Sequence, residues 1–321
     1  MAEVLTSVRP VTVQVPASTA NCGPGFDAIA IGLGRYDEYT ATVTNHPGLA
    51  VLLHGEGAAD LPRDESHLVV RAVREGLAVC GGPWLDELAQ HGRGLVIECR
   101  NTIPMSAGMG SSASAVVGGL GVGFALAHSL AGSEPALSES DLAVINTCAG
   151  IWEGHPDNSS AAVYGGLTVS WMPSPEVVRT AALSMHPDIE PVVLVPASDR
   201  LATSTARAAL PRYVPFGDAV HQAGRSALLT HALSTDPTFL FDATSDWLHQ
   251  EQRRETYPAS MAAVDGLRGL GLAAVISGAG PSTLVLTQPA LVDSVVAEVK
   301  SWGAGWQIVR PGVATSGLRL L

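Results

Sequence analysis

Residues 103–123 read Ile-Pro-Met-Ser-Ala-Gly-Met-Gly-Ser-Ser-Ala-Ser-Ala-Val-Val-Gly-Gly-Leu-Gly-Val-Gly, a glycine-rich opening followed by an apolar segment with helical potential. Gly108 and Gly110 can adopt positive φ at little steric cost, so the backbone can turn with several N–H groups facing one point. A helix that begins near Ser111 or Ser112 directs its free N–H groups and the positive end of its dipole to the same point. The stretch therefore predicts a phosphate-binding turn, in which the two serines can add hydroxyl ligands for phosphate or for Mg²⁺.

Two widespread phosphate loops do not match this stretch. It contains no Gly-x-x-x-x-Gly-Lys-Ser/Thr, and it does not fit Gly-x-Gly-x-x-Gly followed by an acidic residue about 20 positions on. The alternative is a glycine-rich loop before a tightly packed helix, since such turns are common. Residues 94–99 favour the phosphate site, because they predict a strand leading directly into the loop. The missing dinucleotide fingerprint argues against a Rossmann-type oxidoreductase.

Composition limits the classes of protein to consider. The chain has 321 residues, of which 46% are hydrophobic and 15% charged, as expected for a well-packed protein of one large or two smaller domains. A net charge of −12 argues against a nucleic-acid binder. The scattered cysteines and a start without signal-peptide features predict a cytoplasmic protein with reduced thiols. The apolar window 113–130 contains four glycines and His128, so a buried helix is expected rather than a membrane span.

Two polar segments are candidate functional sites. Residues 17–27 predict a loop rich in turn formers, after a strand at 8–16 and before strands at 28–33 and 36–44. Its Asn21 and Asp27 either bind a ligand or bond their own backbone. Residues 153–158 read Glu-Gly-His-Pro-Asp-Asn and follow a helix that begins with a capping pattern at Ser138. They predict either a hydrogen-bonded turn or a site for Mg²⁺, a proton or a polar substrate.

The composition changes near residue 172, which predicts domains at 1–172 and 173–321. Strands and helices beyond that point predict an antiparallel sheet backed by helices. Arg207 and Arg253 stand out among the few cations of this half, each on a short helix that a proline ends. Surface arginines of this kind are usually solvated or paired.

Three separate segments together resemble the GHMP small-molecule kinases. Residues 16–27 look like the N-terminal motif of that superfamily, residues 104–113 like its central phosphate loop, and residues 275–282 like its C-terminal glycine motif. Within the superfamily, residues 153–158 and the Ala-Asn-x-Gly-Pro-Gly-Phe-Asp form of the first motif are most similar to homoserine kinases. The resemblance implies an α/β (α+β) GHMP kinase fold. Its N-terminal domain would be ribosomal protein S5 domain 2-like, its C-terminal domain ferredoxin-like, and the active site would lie between them.

The resemblance also implies ATP- and Mg²⁺-dependent phosphorylation of the side-chain hydroxyl of L-homoserine, a step toward threonine. Asn21, Asp27 and His155 match positions that hold homoserine, and Arg207 and Arg253 match the two arginines near its carboxylate. The remaining implied roles cover phosphate binding, metal binding and catalysis. ATP phosphates are assigned to Pro104, Met105, Ser106, Ala107, Gly108, Met109, Gly110, Ser111, Ser112 and Ala113; Mg²⁺ to Ser111, Ser112 and Glu153; catalysis to Asp157, Asn158 and Ser112. A homodimer is a further family expectation.

Some assignments stay open within this resemblance. Certain family members place the Mg²⁺ carboxylate where this chain has Thr147, so Glu153 is the substitute candidate. The base is either Asp157 or absent, with Asn158 near the hydroxyl. Mevalonate or shikimate are alternative acceptors, since two arginines fit any small carboxylate. A silent ligand sensor on the same fold is the alternative from another class, although the intact serines and the 153–158 segment favour an enzyme.

Overall fold

The computed structural model of the chain describes residues 8–197 and 203–321, so the predicted lack of a signal peptide lies largely outside it. The strands are β1 (Val11–Asn21), β2 (Gly25–Thr44), β3 (Gly48–Gly55), β4 (Gly94–Asn101), β5 (Leu167–Ser174), β6 (Val177–Leu183), β7 (Glu190–Pro196), β8 (Ala273–Ile276), β9 (Thr283–Thr287), β10 (Trp306–Val309) and β11 (Arg319–Leu320). The helices are α1 (Leu68–Val79), α2 (Leu85–Gln90), α3 (Ser111–Leu130), α4 (Glu139–Glu153), α5 (Asp157–Tyr164), α6 (Thr203–Ala208), α7 (Phe216–Ser234), α8 (Leu240–Ala243), α9 (Pro258–Gly269) and α10 (Val292–Ser301).

A seven-stranded sheet carries the first half of the chain. Its order is β11-β1-β2-β4-β3, and β5 pairs with β2 and with β6. All of these pairs are antiparallel except β3 with β4. The domain boundary at residue 172 remains a prediction, and the chain on both sides of it forms the β5–β6 hairpin of this sheet.

Helix α3 lies across this sheet and is the helix predicted from the glycine-rich stretch. It is long and apolar enough to cross a membrane, but 89% of its most apolar window is buried inside the protein. Gly119 and Gly123 lie against α1, where a Cβ atom at either position would come too close to the carbonyl oxygen of Val69 or Val73. The small residues therefore serve close helix packing, and the predicted buried helix is confirmed.

A four-stranded antiparallel sheet of order β10-β7-β9-β8 carries the second half. Helices α9 and α10 pack on one face through residues such as Leu267 and Val295. The opposite face shares a core with α7, α8 and the first sheet, where Val193 and Leu229 belong to one cluster with Ile31. The predicted antiparallel sheet backed by helices is confirmed, and this shared core fixes the two sheets against each other.

Several sequence-based boundaries were wrong. Residues 17–27 are not one loop, because β1 continues to Asn21 and β2 begins at Gly25 after a short turn. The two strands expected at 28–33 and 36–44 are one strand. Helix α4 has the capping box predicted at Ser138 but continues to Glu153, beyond Thr147 where the sequence pattern predicts its end, and α5 begins at Asp157 within the polar segment. The pattern did not predict α2, β6 or β11.

Candidate active site

A cavity of about 270 Å³ lies where the two sheets meet. Six segments border it: the phosphate loop (residues 104–113), the β1–β2 turn with the start of β2, the segment from the end of α4 to the start of α5, α6, residues 251–256 and the glycine turn (residues 277–280). Its lining residues are Asn21, Phe26, Asp27, Ser106, Ala107, Gly108, Gly110, Ser111, Ser112, Ala113, Glu153, His155, Asp157, Asn158, Arg207, Arg253, Gly278, Ala279 and Gly280. The fold thus brings together predicted residues from five separate parts of the sequence.

The phosphate loop adopts the left-handed backbone that its glycines permit. Gly108 and Gly110 have φ of 72° and 71°, and Gly110 is the N-cap residue of α3. A Cβ atom at Gly108 would collide with the carbonyl oxygen of Ser277, and one at Gly110 with the Ser18 hydroxyl. The Ser277 hydroxyl donates a hydrogen bond to the Gly108 carbonyl at 2.6 Å, which fixes the loop from the second sheet.

Not every residue of the phosphate loop faces this cavity. The side chain of Met109 is fully buried in the core shared by the two sheets, and Pro104 is buried as well. Met105 lies in the wall of a second cavity. The N-terminus of α3 therefore presents its free N–H groups between the two cavities, and Ser106, Ser111 and Ser112 border both.

Ser112 and Glu153 form a pair of oxygen donors at the cavity wall. The Ser112 hydroxyl donates to Oε1 of Glu153 at 2.7 Å. Glu153 is the last residue of α4, where a negative charge is unfavourable to the helix dipole unless a cation or a helix N-terminus lies nearby. One carboxylate and a hydroxyl beside a phosphate loop fit the usual surroundings of Mg²⁺, which retains several waters and phosphate oxygens. Thr147, at the other family position, does not border this cavity in the described part of the chain.

Asn21 and Asp27 both have left-handed backbone conformations, with φ of 69° and 55°. The Asn21 amide oxygen accepts the Asp27 backbone N–H at 3.0 Å, and its amide nitrogen donates to the Gly278 carbonyl at 2.8 Å. Arg207 donates two hydrogen bonds to the Asp27 carboxylate, at 2.7 and 3.0 Å. A zwitterion carries one positive and one negative group, so it can pair with Asp27 and with Arg207 in place of the bond between these two side chains.

Arg253 is the largest side chain that is almost fully buried, with 2% of its surface exposed. Its Nε donates to the Ala206 carbonyl at 2.9 Å, and one terminal nitrogen lies 3.3 Å from Nδ1 of His249. The ring of Phe26 lies 5.4 Å from its guanidinium carbon. Within residues 8–197 and 203–321, no carboxylate forms an ion pair with Arg253. Burial lowers the pKa of Arg253 from its ordinary value, as expected for a cation without a charged partner.

His155, Asp157 and Asn158 form a hydrogen-bonded group at the start of α5. Nδ1 of His155 lies 2.7 Å from Oδ1 of Asp157, which also accepts the Asn158 backbone N–H at 2.7 Å. The Asn158 amide oxygen accepts the Ser18 hydroxyl at 2.9 Å. Burial opposes protonation of His155, but the hydrogen bond and charge of Asp157 outweigh it, so the pKa of His155 is raised above 6.5.

This raised pKa predicts a pH-dependent contribution of His155 to stability. A group with a raised folded-state pKa stabilises the protein fully below its unfolded pKa, about 6.5, and the contribution is lost as pH rises through the folded pKa. We expect the difference in unfolding free energy between the unchanged protein and His155→Asn to shrink steadily above about pH 6.5. Urea unfolding of both proteins from acidic to mildly alkaline pH measures it. A difference that grows with pH contradicts the assignment.

One ligand atom each from Asp27, His155 and Asp157 lies within 4.8 Å of the other two. Arg207 forms an ion pair with Asp27, and the His155 ring is hydrogen-bonded to Asp157. These partners already occupy ligand atoms of the group, which disfavours a divalent metal there. They leave carboxylate oxygens that an ammonium group can reach by hydrogen bonds.

A second cavity of about 160 Å³ lies on the other side of the α3 N-terminus. Its wall includes Leu61, Leu68 and Met105, together with His67. Nδ1 of His67 caps α1 by accepting the Val69 N–H at 3.3 Å, so Nε2 carries the proton in the neutral ring. This buried Nε2–H has no hydrogen-bond partner among the described residues. A buried, unpartnered donor in a largely apolar cavity is suited to hydrogen-bond one polar atom of a largely apolar ligand group.

Some residues of the site are not predictable from the sequence patterns alone. Phe26 and the glycine turn border the main cavity, although only their motifs had been recognised. Ser18 contacts Asn158 from within the first motif, and His249 contacts Arg253 from four residues upstream of it. His67 belongs to none of the motifs recognised in the sequence. Motif membership was the available signal for Phe26, the glycine turn and Ser18, whereas the sequence offered no such signal for His67.

Comparison with known proteins agrees with this architecture. The family model described as GHMP kinases N terminal domain matches residues 67–166, and that described as GHMP kinases C terminal matches residues 216–305. A homoserine kinase of Rhodococcus erythropolis is 46% identical over 290 residues, with 88% of each chain covered. One of Streptomyces coelicolor is 43% identical over 311 residues, covering 97% of this chain and 94% of the relative.

The fold also matches a solved structure. The crystal structure of homoserine kinase from Cytophaga hutchinsonii superimposes with a TM-score of 0.79 at 22% identity, covering 97% of both chains. Each family model covers residues that line the cavity, namely those between 106 and 158 in the first and between 253 and 280 in the second. The identity to curated relatives extends over most of the chain. The chain belongs to the homoserine kinase family of the GHMP kinases.

Proposed function

We propose that this protein transfers the γ-phosphoryl group of ATP to the side-chain hydroxyl of L-homoserine, giving O-phospho-L-homoserine. The observation that carries the proposal is Arg253, a guanidinium 2% exposed at the cavity wall without a carboxylate partner in the described chain. A buried cation of this kind requires an anion to compensate its charge. The carboxylate of an amino-acid substrate supplies that anion.

The zwitterion of homoserine matches the remaining charges of the cavity. Its ammonium group binds Asp27, which lies next to Asn21 and His155. Its carboxylate binds Arg253 and Arg207. Arg207 is bonded to Asp27 in this structure, so the substrate replaces an internal ion pair by one pair with its ammonium group and one with its carboxylate. Neither Asp27 nor Arg207 is left without a charged partner after substrate binding, which limits the free-energy cost of breaking the internal pair.

The phosphates of ATP occupy the N-terminus of α3 and the backbone of the phosphate loop. Ser112 and Glu153 hold Mg²⁺, with Ser111 adjacent on the first helical turn. When bound, Mg²⁺ offsets the negative charge on the phosphates. Phosphoryl transfer depends mainly on positioning and charge stabilisation, which the α3 N-terminus and the loop amides provide here.

Asp157 and Asn158 flank the hydroxyl that is phosphorylated. Oδ1 of Asp157 already accepts bonds from His155 and from the Asn158 backbone. Asp157 therefore orients His155 and the start of α5, and its other oxygen is the candidate acceptor for the hydroxyl proton.

The nucleoside of ATP occupies the second cavity, where His67 donates a hydrogen bond from Nε2. We expect His67→Ser to raise the ATP KM by about 3- to 10-fold, since one neutral hydrogen bond is lost. Serine retains the N-cap of α1, so thermal stability should change little. The homoserine KM is the internal control. An unchanged ATP KM, with the melting temperature preserved, would remove His67 from the nucleotide site.

The proposed function is tested by ADP release from Mg·ATP in the presence of L-homoserine, mevalonate, shikimate, galactose or no acceptor. Selective turnover of L-homoserine supports the proposal. Turnover of mevalonate or shikimate instead retains the chemistry but overturns the roles given to Asp27 and His155. ATP binding without turnover of any acceptor overturns the proposal in favour of a ligand sensor.

A further inference from the structure

His249 is a fully buried histidine that does not border the active-site cavity. It follows a turn anchored by Asp246, whose carboxylate accepts the backbone N–H groups of His249 and Gln250 at 3.0 and 2.8 Å. None of its side-chain surface is exposed. The imidazole connects the β1–β2 turn to Arg253, two segments more than 200 residues apart in sequence.

The hydrogen bonds of His249 define its tautomer. Nε2 lies 2.8 Å from the carbonyl oxygen of Gly23, which can only accept, so Nε2 carries the proton. Nδ1 lies 3.3 Å from a terminal nitrogen of Arg253, which can only donate, so Nδ1 accepts. The ring is thus neutral, in agreement with the lowered pKa that burial gives His249. The nearby Asp246 carboxylate, 3.5 Å from Nε2, favours the same tautomer.

Because His249 is a neutral acceptor, it can hold Arg253 in place without neutralising it as a carboxylate would. Nδ1 of His249 and the Ala206 carbonyl hold the guanidinium at two of its nitrogens without cancelling its charge. Phe26 completes the arrangement, because its ring stacks on His249 at 4.9 Å and lies under the Arg253 guanidinium. A planar guanidinium recognises a carboxylate well only when its plane is fixed.

We propose that His249 is a positioning residue that orients Arg253 toward the substrate carboxylate through its unprotonated Nδ1. The inference rests on the proposed role of Arg253. The alternative is a purely structural role, in which the hydrogen bond from Nε2 to Gly23 holds the β1–β2 turn and the contact with Arg253 has no effect on substrate binding.

Two substitutions separate these bonds. His249→Asn places an acceptor oxygen near the position of Nδ1 and loses the donor to Gly23. His249→Gln places a donor near the position of Nε2 and loses the acceptor for Arg253. Steady-state KM values for homoserine and ATP, kcat and the melting temperature are measured for both variants and for Arg253→Ala. KM does not depend on the fraction of protein that is active, so partial loss of folding does not obscure the result.

We expect His249→Gln to raise the homoserine KM about 10-fold or more, with the ATP KM unchanged, and His249→Asn to stay within about 3-fold of the unchanged protein. The double variant His249→Gln/Arg253→Ala should have the homoserine KM of Arg253→Ala alone, because His249 acts through Arg253. A larger rise in the homoserine KM for His249→Asn than for His249→Gln overturns the inference. Additive effects of the two substitutions in the double variant overturn it as well. An Arg253→Ala variant with an unchanged homoserine KM overturns instead the carboxylate role on which it rests.

Discussion

Arg253→Ala is expected to weaken homoserine binding by about 2–5 kcal/mol, the usual cost of removing one partner from a buried charge pair. Only 2% of the Arg253 surface is exposed, so water screens its charge little and the ion pair with the substrate carboxylate is correspondingly strong. Arg207→Ala should have a smaller effect, because 37% of that side chain is exposed and water screens its charge. Isothermal titration with homoserine, in the presence of a non-hydrolysable ATP analogue, measures both losses.

A matched control for this prediction is the neighbouring residue. Arg254 is paired on the surface with Glu251 and Asp265 and does not border the cavity among the residues described. Arg254→Ala should therefore leave homoserine affinity unchanged. ATP affinity should remain near normal in all three variants. If Arg253→Ala lowered the affinities for ATP and homoserine equally, the assignment of Arg253 to the substrate carboxylate would be wrong.

Glu153→Gln is expected to lower kcat by about 10- to 100-fold at millimolar Mg²⁺, the usual range for loss of a metal-site carboxylate or its support. The amide has nearly the same shape but no charge, so it retains a contact with Ser112 and binds a cation poorly. Ser112→Ala should reduce the rate through the same site. Titration of the rate with Mg²⁺ is the decisive measurement, since raised Mg²⁺ should restore part of the lost rate.

The control for this second prediction lies at the other end of the same helix. Glu139 is an exposed residue in the first turn of α4, so Glu139→Gln should leave the Mg²⁺ dependence unchanged. A Glu153→Gln variant with reduced kcat but an unaltered Mg²⁺ dependence would show that Glu153 acts only by orienting Ser112. An unchanged kcat would remove Glu153 from the metal site.

Local signals in the sequence predicted local structure well. The capping box at Ser138 and the glycines before α3 mark helix starts through interactions within a few residues, so they can be recognised without the fold. The β1–β2 hairpin was misread for the opposite reason. Residues 17–21 are small and turn-forming, yet they pair with β2 across irregular registers that only the tertiary structure fixes.

The same distinction between local and tertiary interactions applies to the site residues. Motifs identified Asp27 and Arg207, but not that the two would be bonded to each other, because 180 residues separate them in sequence. His67 could not be found from its pattern, since a histidine before an apolar helix is usually only a cap. Its buried, unpartnered Nε2 becomes apparent only when the second cavity is formed around it.

The glycine turn has a consequence for how the enzyme is made. Ser277 bonds to the Gly108 carbonyl and Thr19, and Gly278 bonds to Ala20, so the second sheet completes a loop that is translated 169 residues earlier. Domains usually fold in order as they leave the ribosome. Here β11, at residues 319–320, is also an edge strand of the first sheet. The phosphate loop and the first sheet therefore acquire their full set of contacts only after the second sheet has been synthesised, so the first half of the chain cannot complete the nucleotide site by itself.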